Sequence, residues 1–144
     1  MDSIGERLKS LRAQTGLSGQ QVSKILGLSI NAYYSYERNF STPSCERYIK
    51  LAELYHTTVQ YIITGKELSA DVWSKETTPF PERLRELRVQ SGLTQKAVAK
   101  VLEINFSSYQ QYEYAINEPK LDKLLKLAEL FDVTLDELMG RNRK

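Results

Sequence analysis

Residues 5–64 align with residues 81–140 at a constant offset of 76 positions, without a gap. Arg7-Leu8 matches Arg83-Leu84, Leu11-Arg12 matches Leu87-Arg88, and Gly16-Leu17 matches Gly92-Leu93. Lys50-Leu51-Ala52-Glu53-Leu54 matches Lys126-Leu127-Ala128-Glu129-Leu130. A repeat of about 60 residues is a small domain copied in tandem, not one turn of a solenoid. It divides the chain into a first domain (1–65), a linker (66–80) and a second domain (81–144). Domains of that size sit near the lower limit for a self-supporting core, which favours compact helical packing.

Composition narrows the class. The chain is 41% hydrophobic and 26% charged, as expected of a soluble globular protein. Cys45 is the lone cysteine, so no internal disulfide can form, and His56 is the lone histidine, so no Cys/His zinc set exists. No metal and no cofactor is expected. MDSIGERLKS lacks an apolar signal stretch, and no apolar run reaches the ~18 residues of a membrane helix. The expectation is a cytoplasmic protein without a membrane partner. Net charge is +2, spread as +3 over residues 1–66, −2 over 67–80 and +1 over 81–144. That is a weak basic balance, and charge alone does not point to nucleic acid.

Periodicity predicts helices throughout. Ile4, Leu8 and Leu11 recur on one helical face, as do Phe80, Leu84 and Leu87. Gly16 and Gly92 follow as stop signals. Ser18 and Thr94 cap a second helix, Ser18 with Gln21 in a capping-box pattern. Ser29 and Asn105 cap a third, with Tyr33, Tyr36, Tyr109 and Tyr112 inward. A fourth runs from about Ser44 to Tyr55 and from about Lys120 to Phe131. Thr58 and Thr134 cap a short fifth, Thr134 with Glu137 in a second capping-box pattern. No segment alternates with period two, so no strands are expected. The second and third helices are short and separated by about three residues, which makes them a helix-turn-helix.

At this point the chain resembles the lambda-repressor-like (XRE) family of five-helix domains. The stretches that carry the likeness are RLKSLRAQTGLSGQQVSKILGLS…YYSYE…P…YIKLAELYHTTVQYI and RLRELRVQSGLTQKAVAKVLEIN…YQQYE…P…LLKLAELFDVTLDEL. The resemblance implies an all-α fold of two tandem five-helix domains. It also implies that the third helix enters the major groove of double-stranded DNA with its leading end at the base edges. The matching positions are Ser29, Ile30, Asn31, Ala32, Tyr34 and Ser35, and Asn105, Phe106, Ser107, Ser108, Gln110 and Gln111. Asn31 and Gln111 suit a bidentate contact with adenine, and Ile30 and Phe106 suit thymine methyl groups. The two sets differ at every position, so the copies are expected to prefer different half-sites.

The family's second helix opens with a glutamine that contacts the sugar-phosphate backbone. Gln95 keeps it; Gly19 replaces it in the first copy, with Gln20 beside it. Lys24, Lys96 and Lys100 could reach phosphate or remain solvated lysines. Arg12 with Glu37, and Arg88 with Glu113, match a family pair that reads either as an orienting salt bridge or as a phosphate-contacting arginine. The loops after the third helix lack the family's basic anchors, Arg38 excepted, and carry exposed Phe40 and Ile116. The turn glycine Gly27 becomes Glu103, at a cost of about 1 kcal/mol if the site needs positive φ.

The expectation is therefore a non-enzymatic, sequence-specific DNA-binding regulator, acting as a repressor by occluding a promoter. The alternative is a protein-interaction module, an antirepressor or adaptor, that keeps the fold with little DNA affinity. Homodimers or an intrachain pseudo-dimer could form near the fifth helices, through Tyr61, Ile62, Ile63, Leu138 and Met139. Val72 and Trp73 are apolar points in the linker, Trp73 a candidate packing anchor between domains. No small-molecule ligand is evident.

Overall fold

A computed structural model describes residues 2–144. The chain divides into two compact units, one ending at Val72 and the other beginning at Trp73. The first holds α1 (Ile4–Thr15), α2 (Gly19–Leu26), α3 (Ile30–Glu37), α4 (Cys45–Leu54) and α5 (Val59–Thr64). The second holds β1 (Trp73–Thr77), α6 (Phe80–Gln90), α7 (Gln95–Val101), α8 (Phe106–Glu113), α9 (Leu121–Phe131), α10 (Leu135–Met139) and β2 (Arg141–Arg143). Among the described residues no helix is long and apolar enough to cross a membrane.

The two helix sets repeat their corners as well as their faces. Left-handed backbone occurs at Gly16 and Gly92, Gly27 and Glu103, Asn39 and Ala115, and His56 and Asp132, each pair 76 positions apart. A left-handed residue reverses the chain at a helix end and lets its N–H cap the last carbonyls. Glu103 therefore holds φ at 58°, the strained value expected of a non-glycine at that turn.

Capping follows the sequence in most places. Ser18 and Gln21 close the full reciprocal box on α2. Ser29, Ser44, Thr58 and Thr94 each accept from a first-turn N–H. Two expectations need correcting. Asn105 occupies the N-cap of α8 but its side chain makes no cap bond. Thr134 accepts from Glu137 N–H, but Glu137 completes no box, because its carboxylate accepts from Arg143 at 2.8 Å.

The cores are stripes of one helical face. Leu8, Val22, Tyr33, Leu51, Val59 and Ile62 are fully buried in the first unit, and Leu84, Val98, Leu102, Tyr109, Leu127 and Leu138 in the second. Tyr112 is only half-buried, with its ring edge-on to Tyr109 at 6.0 Å. Arg7 and Arg83 tie the first helix of each unit to the last. Arg7 donates to the carbonyls of Ile62 and Ile63 at 2.8 and 2.7 Å, and Arg83 to those of Glu137 and Arg141.

A small sheet corrects the expectation of no strands. β1 pairs antiparallel with β2, Trp73 opposite Arg143 and Thr77 opposite Arg141, with an irregularity between. Strands of five and three residues are too short to show alternation, and SKET and RNR carry almost no apolar residues. The pairing places residues 73–77, inside the stretch read as linker, in the second unit. Residues 65–72 then join α5 to β1, a span of at most about 29 Å when extended. Trp73 is buried, with the guanidinium groups of Arg141 and Arg143 at 5.3 and 5.0 Å from its ring centre, so it anchors β2. Of the fifth-helix residues considered for self-association, Ile62, Ile63, Leu138 and Met139 are buried, and only Tyr61 is half-exposed.

Candidate nucleic-acid interface

Each unit holds its third helix in place through one ion pair. Arg12 Nε and Nη2 donate to the two oxygens of Glu37 at 2.7 and 3.1 Å, and Nη1 donates to the Leu17 carbonyl at 3.3 Å. Arg88 repeats the arrangement on Glu113, at 2.6 and 3.1 Å, with Leu93 at 3.0 Å. Bidentate geometry fixes orientation as well as distance. It ties α1 to α3 and α6 to α8 across the start of the helix between them. Both arginines are thus committed to orienting the third helix.

Glu113 collects more bonds than Glu37. Gln95 Nε2 donates to it at 3.1 Å and Tyr109 Oη at 2.5 Å. Burial pushes its pKa up, but the hydrogen bonds from Arg88, Tyr109 and Gln95 outweigh burial and hold it below the usual carboxylate value. In the first unit Tyr33 interacts with Glu37 and also meets Tyr55, oxygen to oxygen at 2.6 Å, and burial pushes the Tyr55 phenol up to about 12. Phe131 stands where Tyr55 would be, so Tyr109 has no second phenol beside it.

On the leading end of α3, Ile30 is 40% exposed and Asn31 fully on the surface. Ser29 spends its hydroxyl on the Ala32 N–H at 3.1 Å. Ser35 donates to the Ala32 carbonyl and meets Ser41. Tyr34 is half-buried, lying over Gly19 with Arg12 and Arg38 near its ring. Gln20, Lys24 and Arg38 are exposed.

The leading end of α8 is more open. Asn105 and Ser107 are exposed and Phe106 is 39% exposed, with Lys96 Nζ 5.4 Å from its ring centre. Ser108, Gln110 and Gln111 are half-buried, and Lys100 is exposed. Gln110 donates to Gln95 at 3.3 Å, and both stay half-exposed. Gln111 accepts from Asn117, which leaves its NH2 end for any base.

The structure gathers Gln95, Lys96 and Phe106 around one open concavity of about 720 Å³, with Arg85, Thr94 and Tyr114. Arg85 and Tyr114 escaped the sequence reading. Arg85 lies one turn before Arg88, on the same flank of α6, which is the signal that could have found it. A second hollow of about 410 Å³ brings Gln111 and Ser108 together with Asn117 and Lys120. Lys120 is an exposed cation just past the loop that lacks basic anchors.

Comparison with known proteins gives a consistent picture. A family model described as a helix-turn-helix domain matches residues 5–68, and a second, described as helix-turn-helix, matches residues 84–138. The HTH-type transcriptional regulator YobD of Bacillus subtilis, itself uncharacterized, is 44% identical over 61 residues, 42% of this chain. The HTH-type transcriptional regulator AnsR of the same organism is 41% identical over 63 residues, 44% of this chain. The chain spans 54% of the length of each, so about half of these relatives. Among solved structures, the restriction-modification controller protein C.AhdI from Aeromonas hydrophila is 36% identical. That match covers 41% of this chain and 89% of that one, with a TM-score of 0.39.

Proposed function

The chain belongs to the XRE-type helix-turn-helix family, one copy in each half, and from that membership we propose that it is a sequence-specific DNA-binding transcriptional regulator, acting as a repressor. The observation that carries this reading is the pair of exposed leading ends on α3 and α8, each oriented by a part-buried Arg–Glu pair. Asn31 and Ile30 on α3, and Asn105, Phe106, Ser107 and Gln111 on α8, are the base-edge candidates in the major groove. Asn105 gains weight because its amide is not spent on capping. Gln20, Lys24, Lys96, Lys100 and Arg38 are the backbone candidates, joined by Arg85 and Lys120. The relatives' names as transcriptional regulators support the same reading.

Repression follows from occupancy: a bound protein excludes polymerase from an overlapping promoter without further machinery. The two reading surfaces differ, so the preferred site joins two unlike half-sites. This reading assigns the chain no catalysis and places it in the cytoplasm with its DNA. The deciding experiment is selection from random duplex DNA by the whole chain, followed by titration at several salt concentrations. Enrichment of a defined sequence with a negative salt slope is the expected result. Failure to retain any duplex at low salt would remove the reading.

A second reading has its own observation. Phe40 and Ile116 occupy equivalent loop positions and are 80% and 66% exposed. Apolar loop tips of this kind suit a protein partner, as in an adaptor or antirepressor. Retention of the chain on its selected duplex after both are replaced by serine separates the two readings.

A further inference from the structure

The two units differ in how they fill the space at the start of their second helix. In unit 2 the position holds Gln95, which bonds to Glu113 and Gln110. In unit 1 the two corresponding positions hold Gly19 and Tyr34. An added Cβ on Gly19 would lie 2.3 Å from Tyr34 Cζ and 2.4 Å from its hydroxyl oxygen. The phenol therefore sits where a side chain of the second helix would begin, and it is delivered from the third helix instead.

Two cations lie over the Tyr34 ring. The Arg12 guanidinium stands 5.8 Å from the ring centre and that of Arg38 stands 5.6 Å away. Arg12 is committed to Glu37, whereas Arg38 is exposed. Among the described residues neither the Tyr34 hydroxyl nor the Arg38 guanidinium makes a hydrogen bond. The hydroxyl of Tyr33 bonds to Tyr55 and that of Tyr109 to Glu113, so the neighbouring phenols are spent inside the fold. A ring that only filled the gap over Gly19 would need no hydroxyl.

Building on the DNA-binding reading above, we infer that Tyr34 is the backbone anchor of unit 1. Its hydroxyl donates to a phosphodiester oxygen of duplex DNA, and Arg38 supplies the charge beside it. Phosphate contacts of this kind set position and carry no sequence information. Cations against the ring face hold the phenol in place before DNA arrives, which lowers the ordering cost of the contact. Gly19 and Tyr34 together thus replace the glutamine that the first copy lacks.

The test uses the full chain and the duplex it selects. Tyr34→Phe keeps the ring and both cations and removes only the donor. It is expected to weaken binding by about tenfold, the size of one hydrogen bond to a charged group. The loss should be the same on duplexes with altered bases, with the salt slope unchanged. Arg38→Gln should weaken binding and lower the slope by about 0.9. The double substitution Gly19→Gln with Tyr34→Gln installs the second copy's pair and should bring affinity back to near the starting value. Thermal unfolding of each variant confirms that it is folded, and Tyr34→Phe alone decides if the double variant is not. Unchanged binding by a folded Tyr34→Phe variant overturns the inference and leaves the DNA-binding reading standing. A wild-type chain that ignores every duplex removes both.

Discussion

Arg88 and Glu113 meet through two parallel hydrogen bonds, with the glutamate side chain 2% exposed and the arginine 14%. A buried carboxylate without its partner is far costlier than the pair is stabilising. Arg88→Met should therefore destabilise unit 2 by about 3–5 kcal/mol, as read by urea unfolding followed through the buried Trp73. The pair also makes unit 2 acid-sensitive. The folded pKa of Glu113 lies below its unfolded value, so its contribution is complete above the unfolded pKa and is lost as pH falls through the folded one. The Trp73 transition should hold its Glu113 contribution from neutral pH down to about 4.3 and lose it below. Glu113→Gln should lose stability at neutral pH and show a flatter acid limb.

Glu103 and Ala115 occupy left-handed corners, at φ 58° and 61°. Glycine relieves the steric cost at such sites. Glu103→Gly and Ala115→Gly should each stabilise unit 2 by about 1 kcal/mol, seen as a higher melting temperature. The exposed contact of Glu103 with Lys126, at 3.9 Å, is too weak to reverse the sign.

Base readers and backbone anchors should separate in binding data. Asn105→Ala and Phe106→Ala are expected to cost about 1–3 kcal/mol on the selected duplex and to relax preference at one base position each. Lys100→Ala should weaken all duplexes alike and lower the salt slope by about 0.9. Anisotropy titrations on the selected site and on single-base variants check both.

The C-terminal strand should matter to unit 2 more than its length suggests. Arg141 donates to the fully buried Asp136 at 3.0 Å and stands against the Trp73 ring. Ending the chain at Gly140 removes both the strand pairing and the cation facing Asp136. Loss of about 3 kcal/mol or more is expected, with Trp73 emission shifted red as the indole meets water.

The helices were legible because their signals are local: periodic apolar faces, cap residues and stop glycines. The Arg–Glu pairs and the strained Glu103 turn were readable through the repeat and the family likeness. Other features depend on pairs of residues distant in sequence and were not. β1 and β2 form because residues 73–77 meet residues 141–143, and neither stretch carries a pattern alone. The Gly19–Tyr34 and Gln95–Gln110 exchanges are visible only once the second and third helices are packed. A similar exchange joins Gly5 and Asn39. The Gly5 N–H donates to Asn39 Oδ1 at 2.9 Å, whereas the second copy has Pro81, with no N–H, opposite Ala115, with no acceptor. Donor and acceptor vanish together, which a position-by-position reading counts as two unrelated changes. The idle cap of Asn105 escaped for a different reason, since residue type fixes only what a side chain can do.

The eight residues from Gly65 to Val72 connect α5 to β1, so both helix-turn-helix copies travel on one chain. Where both third helices bind DNA as proposed, the second contact becomes intramolecular once the first is made, which raises its effective concentration. Two grips too feeble to persist alone can then add into a durable one. The gain depends on one chain spanning both half-sites, so inserting base pairs between them should abolish it.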